Sequence, residues 1–191
     1  MKLDLLAVAA ALVCAGAAVA EPMPLPRVDF DGEWQINSAN SMSKAHVYYS
    51  AALSVFRIDM TTSGGETSMV RDMAKGQALV WGGLGDGVAM KFSVPSQNSD
   101  VKATGDINDV DGEECEYWKG EDLKVCLSQD GIALRTVAHG RIVQLRNLER
   151  KDQDAALFAL PDGLQLIEMP SDMLDQLEKQ GSMPSRSLLL Y

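Results

Sequence analysis

Few residues in this 191-residue chain are of types that carry covalent or metal chemistry, and their spacing argues for structure over catalysis. Cysteines stand at 14, 115 and 126, and histidines at 46 and 139. Cys115 and Cys126 lack a C-x-x-C spacing and a neighbouring histidine, so a structural disulfide outranks a redox or metal pair. His139 precedes Gly140 and reads as a turn residue, since histidine tolerates positive φ better than most side chains. His46 sits beside Tyr48-Tyr49 and reads as a surface or packed strand residue. The acidic stretch 106–114 (DINDVDGEE) fails as a calcium loop. Aligning Gly112 with the invariant glycine of an EF-hand puts Ile107 first and Trp118 last, and neither side chain offers a carboxylate. No G-x-S-x-G, H-E-x-x-H or Walker pattern occurs, and Gly82 to Gly87 (GGLGDG) misses G-x-G-x-x-G. Met60, Met69, Met73 and Met90 are too scattered for a Cu(I) site and read as core or cavity wall. No catalytic residue, cofactor or metal is expected.

The compartment follows from the start of the chain. Lys2, an apolar run from Leu5 to Val19, and Ala18-Val19-Ala20 before Glu21-Pro22 form the pattern of a cleaved secretory signal. At roughly 15 residues the run is short of the roughly 20 a membrane span needs. Cleavage after Ala20 removes Cys14 and leaves one even cysteine pair in an oxidising compartment, which implies export, periplasmic in this reading. The processed chain is then not an integral membrane protein. A net charge of −10 with no basic cluster excludes nucleic-acid binding.

Around the cysteines, turn residues set a register. Gly120-Glu121 as a two-residue type II′ turn pairs Lys119 with Asp122, Trp118 with Leu123, and Cys115 with Cys126. Asp130-Gly131 as a type I′ turn pairs Leu127 with Leu134 and Val125 with Thr136. His139-Gly140 then pairs Ala138 with Arg141, Thr136 with Val143 and Leu134 with Leu145. One face carries Trp118, Leu123, Val125, Leu127, Ile132, Leu134, Val143 and Leu145. The other carries Tyr117, Lys124, Arg135, Gln144 and Arg146. This period-two alternation is a strand signature, and it places the Cys115–Cys126 bridge on the outer, polar side as a brace.

Upstream, 46–50, 54–60, 67–73, 78–81, 88–94 and 101–107 read as further strands. Residues 152–158 read as a short turn or helix, stopped by Leu160-Pro161-Asp162-Gly163. Ser171 to Lys179 reads as a capped helix with Met173, Leu174 and Leu177 as its apolar stripe. The fold class is mainly β: a curved antiparallel sheet or half-barrel meander with one or two short helices, one of them C-terminal. The division is a signal peptide over 1–20, a single half-barrel domain over 21–170, and a C-terminal helix and tail over 171–191.

Several short motifs, in order, carry a resemblance. They are Tyr48-Tyr49-Ser50, Phe56-Arg57-Ile58-Asp59 and Val70-Arg71-Asp72, then Gly112-Glu113-Glu114-Cys115, Cys126-Leu127, Asp130 to Arg135 and Leu157 to Gly163. Over roughly residues 45–164 the chain resembles an uncharacterised periplasmic branch of the outer-membrane lipoprotein-carrier-like half-barrel superfamily. The resemblance implies a curved antiparallel sheet around a hydrophobic concavity, and a role in carrying lipids or lipid-modified proteins. The expected function is non-enzymatic: a carrier or sensor holding a lipid or other apolar ligand, with Phe56, Ile58, Met60, Leu79 and Met90 as the cavity wall. The alternative is an envelope protein-interaction module that uses the sheet surface and needs no small-molecule ligand.

Overall fold

The computed structural model describes residues 23–38, 41–62, 65–83, 87–94, 101–138 and 140–170. The signal peptide expected over 1–20, the helix expected over 171–179 and the His139 turn position lie outside the described residues. Twelve strands form one open sheet. They are β1 (Phe30–Ser38), β2 (Ser41–Ser50), β3 (Val55–Thr62), β4 (Gly65–Asp72), β5 (Gln77–Gly82), β6 (Val88–Ser93), β7 (Lys102–Val110), β8 (Glu113–Lys119), β9 (Leu123–Ser128), β10 (Ala133–Ala138), β11 (Arg141–Glu149) and β12 (Gln165–Glu168). Among the described residues a single 3-10 turn, Ala155–Phe158, is capped by Asp154, whose carboxylate accepts from Ala156 N at 2.9 Å.

The strand order is β12-β6-β5-β4-β3-β2-β1-β11-β10-β9-β8-β7, two sequential meanders joined side by side through β1 and β11. This order forces curvature. β6 and β7 stand ten strand spacings apart, roughly 48 Å along a flat sheet. The nine residue steps from Ser93 to Lys102 reach at most roughly 32 Å. The sheet must therefore curl its ends toward each other, and the curl encloses one face.

Along β1, Phe30, Trp34 and Ile36 alternate with Asp31, Glu33 and Gln35, so the strand has the period-two pattern of a half-buried element. Sequence reasoning missed it because Gly32 breaks the apolar series and Asp, Glu and Asn dilute strand propensity. The glycine is needed for packing. A Cβ at position 32 would lie 2.8 Å from Leu145 Cδ1 and 3.0 Å from Arg146 O on β11, beside a bulge in the β1–β11 ladder. Gly32→Ala is expected to cost about 1–3 kcal/mol by overpacking this seam. A urea midpoint equal to wild type would show that the seam tolerates the methyl.

After β11 the chain crosses the outer side of β3–β6. Asp29 anchors the crossing, accepting from Ala51 N at 2.7 Å and Gln153 N at 3.0 Å. Arg57 Nη1 donates to Leu157 O at 2.7 Å. Phe158, with Leu157, Leu160 and Leu164, covers Val55, Val70, Trp81 and Ala89. The crossing ends in β12, which pairs with β6 in parallel, so the sheet is mixed and not wholly antiparallel. β12 was also missed: its four residues are all exposed and carry no turn signal of their own.

Two of the three turns depart from the expected type. Gly120 N donates to Leu123 O at 2.7 Å, and the last strand pair is Lys119 with Lys124. The longer turn slides the hairpin by two residues: Cys115 faces Ser128, Tyr117 faces Cys126, and Trp118 faces Val125. A shift of two preserves the pleat, so the residues keep their relative faces. The cysteines are diagonal neighbours, not opposed, and are bridged at a Cα separation of 5.3 Å. At the next turn Gly131 N donates to Ser128 O and Ser128 N to Ile132 O, with Gly131 at φ +86°. That is a three-residue loop with a bulge, not a type I′ turn. Leu127 therefore faces Ala133, while the expected Val125–Thr136 pair is kept. The pairs Ala138–Arg141 and Thr136–Val143 are as the sequence predicts.

The bridge is not on an outer polar side. Cys115 is 2 % and Cys126 0 % exposed, and both belong to the main core cluster. All four residues Val125 to Ser128 are buried, so both faces of β9 are covered. The turn between β7 and β8 also reaches β11 through one side chain. Asp111 beyond β7 is hydrogen-bonded to Gln144 and Arg146, side chains of the outer face. Alternation shows which residues share a face, but a sheet end that curls can bury both.

Candidate functional site

The main core face is read straight across the registers. Phe30, Tyr49, Phe56, Arg71, Ala78 and Phe92 form one row through β1 to β6. The next row runs Gly32, Val47, Ile58, Met69, Val80, Met90. Phe30, Tyr49 and Phe56 interlock, with ring centroids 5.7 Å (Phe30–Tyr49), 4.3 Å (Tyr49–Phe56) and 6.2 Å (Phe30–Phe56) apart. Across the seam, Trp34 faces Leu145 and Ile36 faces Val143, which continues the apolar surface into the second meander.

Four of the five residues expected to form a cavity wall share this face. Phe56 and Ile58 are buried at 2 % exposure, and Met60 and Met90 are partly buried against the same cluster. Leu79 is on the opposite side, packed with Leu157 and Trp81 under the chain crossing. Strand parity explains this: Leu79 pairs with Val70 and Lys91, one position out of phase with Ala78 and Val80.

Arg71 is the residue that sequence reasoning passed over. It stands between Phe56 and Ala78 on the apolar face at 3 % exposure. Its Nε and Nη1 have no hydrogen-bond partner among the described residues. Burial lowers its pKa to about 10, so it stays cationic at neutral pH. A signal of burial was present, because Arg71 shares parity with Met69 and Met73.

A concavity of about 1030 Å³ lies at the β7–β9 end between Pro24, Arg27, Ile107, Glu116, Trp118 and Arg150. Its wall is held by ion pairs. Arg150 donates two hydrogen bonds to Glu113, at 2.9 and 2.8 Å, and one to Asp130 at 2.6 Å. Arg27 N donates to Asp130 O, and the Arg27 guanidinium to Gln129 O, tying the N-terminal segment to the β9–β10 loop. The hydrogen bond from Arg150 holds the Glu113 carboxyl below its ordinary range. A depressed carboxyl stabilises the fold above its unfolded pKa and loses that contribution as pH falls through its folded pKa. Stability is therefore expected to dip below about pH 4.5 by under about 1 kcal/mol, because both partners are more than a third exposed. Glu113→Gln should flatten that part of a Tm-against-pH curve; an unchanged slope would remove Glu113 as its source.

Among the described residues no group of three His, Cys, Asp or Glu is placed to hold a metal, and no helix is long and apolar enough to cross a membrane. The geometry defines a class: one open, strongly curved sheet whose curl encloses an apolar face. No protein-family model and no curated protein matches the chain, but solved structures share its fold. An uncharacterized conserved protein from Thermus thermophilus superposes with TM-score 0.56 at 15 % identity, over 75 % of this chain and 91 % of that one. PNGF-II superposes with TM-score 0.53 at 11 % identity, over 80 % of this chain and only 34 % of that one. A chain of the Pseudomonas aeruginosa MucA/MucB complex superposes with TM-score 0.51 at 16 % identity, over 74 % and 59 %. More distant is a LolA superfamily protein from Nitrosomonas europaea, with TM-score 0.40 and 10 % identity over 72 % and 93 %.

Proposed function

We propose that this chain is an exported, non-enzymatic binding protein whose curled sheet takes a lipid or other apolar ligand against its enclosed face. One observation carries the reading. A continuous apolar surface spans β1 to β6, and methionines stand at adjacent register positions within it: Met69 and Met90 flank Val80, and Met60 stands beside Ala45. Unbranched thioether side chains repack at low cost, so a wall that contains them opens around a flexible acyl chain more readily than one of branched residues. Met60 and Met90, the partly buried members, are the proposed entry points, with Phe56 and Ile58 beneath them. The buried disulfide, the leader-like start of the chain and the half-barrel resemblance support a periplasmic location. Titration with a fluorescent fatty acid tests the reading: saturable uptake is expected, weakened at least tenfold in Met60→Asn/Met90→Asn. No uptake by the wild type would refute it.

A second reading has its own observation. β12 is an edge strand with Leu166 at 46 % and Ile167 at 39 % exposure, and its only partner among the described strands is β6. An open edge with exposed apolar residues suits addition of a strand from a partner protein. A fold neighbour solved as a two-protein complex is in keeping with this. Cross-linking in cells should then return one stoichiometric partner that Leu166→Glu/Ile167→Glu loses; a partner kept by that variant would exclude this edge.

A further inference from the structure

The Arg71 guanidinium is incomplete as the fold stands. A cation at 3 % exposure, with two nitrogens lacking acceptors, sits in a row of Phe30, Tyr49, Phe56, Ala78 and Phe92. Among the described residues no carboxylate is close enough to oppose the desolvation of Arg71. Buried charges are ordinarily paired, because an uncompensated one costs several kcal/mol. Nothing in the packing of β4 requires arginine here; methionine would fill the same length without the charge. A planar guanidinium presents forked N–H donors that fit the paired oxygens of a carboxylate or phosphate.

We propose that Arg71 is a head-group receptor, and that the ligand of this face is an anionic amphiphile with an acyl tail ending in a carboxylate or phosphate. The oxyanion accepts from one of the two unpartnered nitrogens, Nε or Nη1, which face different edges of the guanidinium, and the tail lies along the neighbouring row of Met69, Val80 and Met90. This rests on the reading that the face takes an apolar ligand, and it adds the chemical class of that ligand. A cation held ready in a dry, aromatic setting discriminates strongly. An anionic head satisfies it, whereas a neutral head of the same tail length leaves the charge unpaired.

The test is a set of titrations of the full chain with decanoate, decyl phosphate and decanol, followed by calorimetry, on wild type, Arg71→Met and Arg71→Lys. Wild type should bind at least one anion ten or more times tighter than decanol. Arg71→Met should lose the preference for the anion over decanol, while Arg71→Lys should keep part of it. A preference for decanoate indicates a free fatty acid, and one for decyl phosphate a phosphate head group; either supports the inference. Equal wild-type binding of all three would overturn the head-group role but leave the apolar-ligand reading standing. So would a preference that persists in a folded Arg71→Met. Failure to bind any of the three would overturn both.

Discussion

Replacing Cys115 and Cys126 with alanine is expected to lower unfolding free energy by about 2–5 kcal/mol, the usual cost of losing a native disulfide. Replacing both with serine should cost more. The cysteines are 2 % and 0 % exposed inside the main cluster. Each serine would bury a hydroxyl with no cysteine precedent for a hydrogen bond, at about 1–3 kcal/mol per unsatisfied group. The gap between the two double variants therefore reports the position of the bridge, and the loss common to both reports the cross-link. Urea unfolding measures each. Equal midpoints for the serine and alanine pairs would place the bridge at the surface, against its burial in the main cluster. Native-state thiol accessibility gives the same information: under mild reductant the pair should resist labelling until the protein unfolds.

Arg71→Met should act in the opposite direction, raising stability of the ligand-free protein by about 1–3 kcal/mol by removing unsatisfied buried donors. Few substitutions at a residue 3 % exposed are expected to stabilise. A gain here would mean that the arginine is kept at a cost to the fold, as residues held for binding often are. Thermal unfolding of ligand-free wild type and variant decides the matter. Loss of stability would mean that the guanidinium is satisfied in the native state and has a structural role. Saturating decanoate should narrow the difference, since ligand bound to the native wild type adds stability that the variant lacks.

Much of the architecture was legible because period-two alternation survives composition. The pairs across β10 and β11 follow from His139-Gly140 and the residues flanking it, and Val125–Thr136 follows from the turn before them. What failed was turn length. Gly120-Glu121 suits a two-residue turn locally, yet the loop takes four residues, and the cysteines meet diagonally. β1 alternates as cleanly as any strand, but Gly32 hid it; that glycine is set by Leu145 on a strand more than a hundred residues away. The inside of the curl was not legible either. Alternation along β8 and β9 groups Cys115 with Tyr117 and Cys126, while the burial of the two cysteines in the main cluster is set by packing that alternation does not report. At the candidate site, Phe56, Ile58 and Met60 share a face by alternation along one strand, but alternation does not relate that strand to those of Leu79 and Met90, and Leu79 lies one position out of phase. Arg71 carries no functional signal in the sequence, because a charged residue on a strand is normally exposed. Its burial follows from the whole curled sheet, which no local window contains.

The most direct test of the central claim is native mass spectrometry of the protein exported from a bacterial host and purified without detergent. The expected spectrum shows the folded chain with one bound species of acyl-lipid mass. Collisional activation should release that species as an anion, and the Arg71→Met preparation should have lost it. A wild-type spectrum containing the bare chain alone, unchanged after incubation with decanoate or decyl phosphate, would contradict the claim that the enclosed face is a binding site.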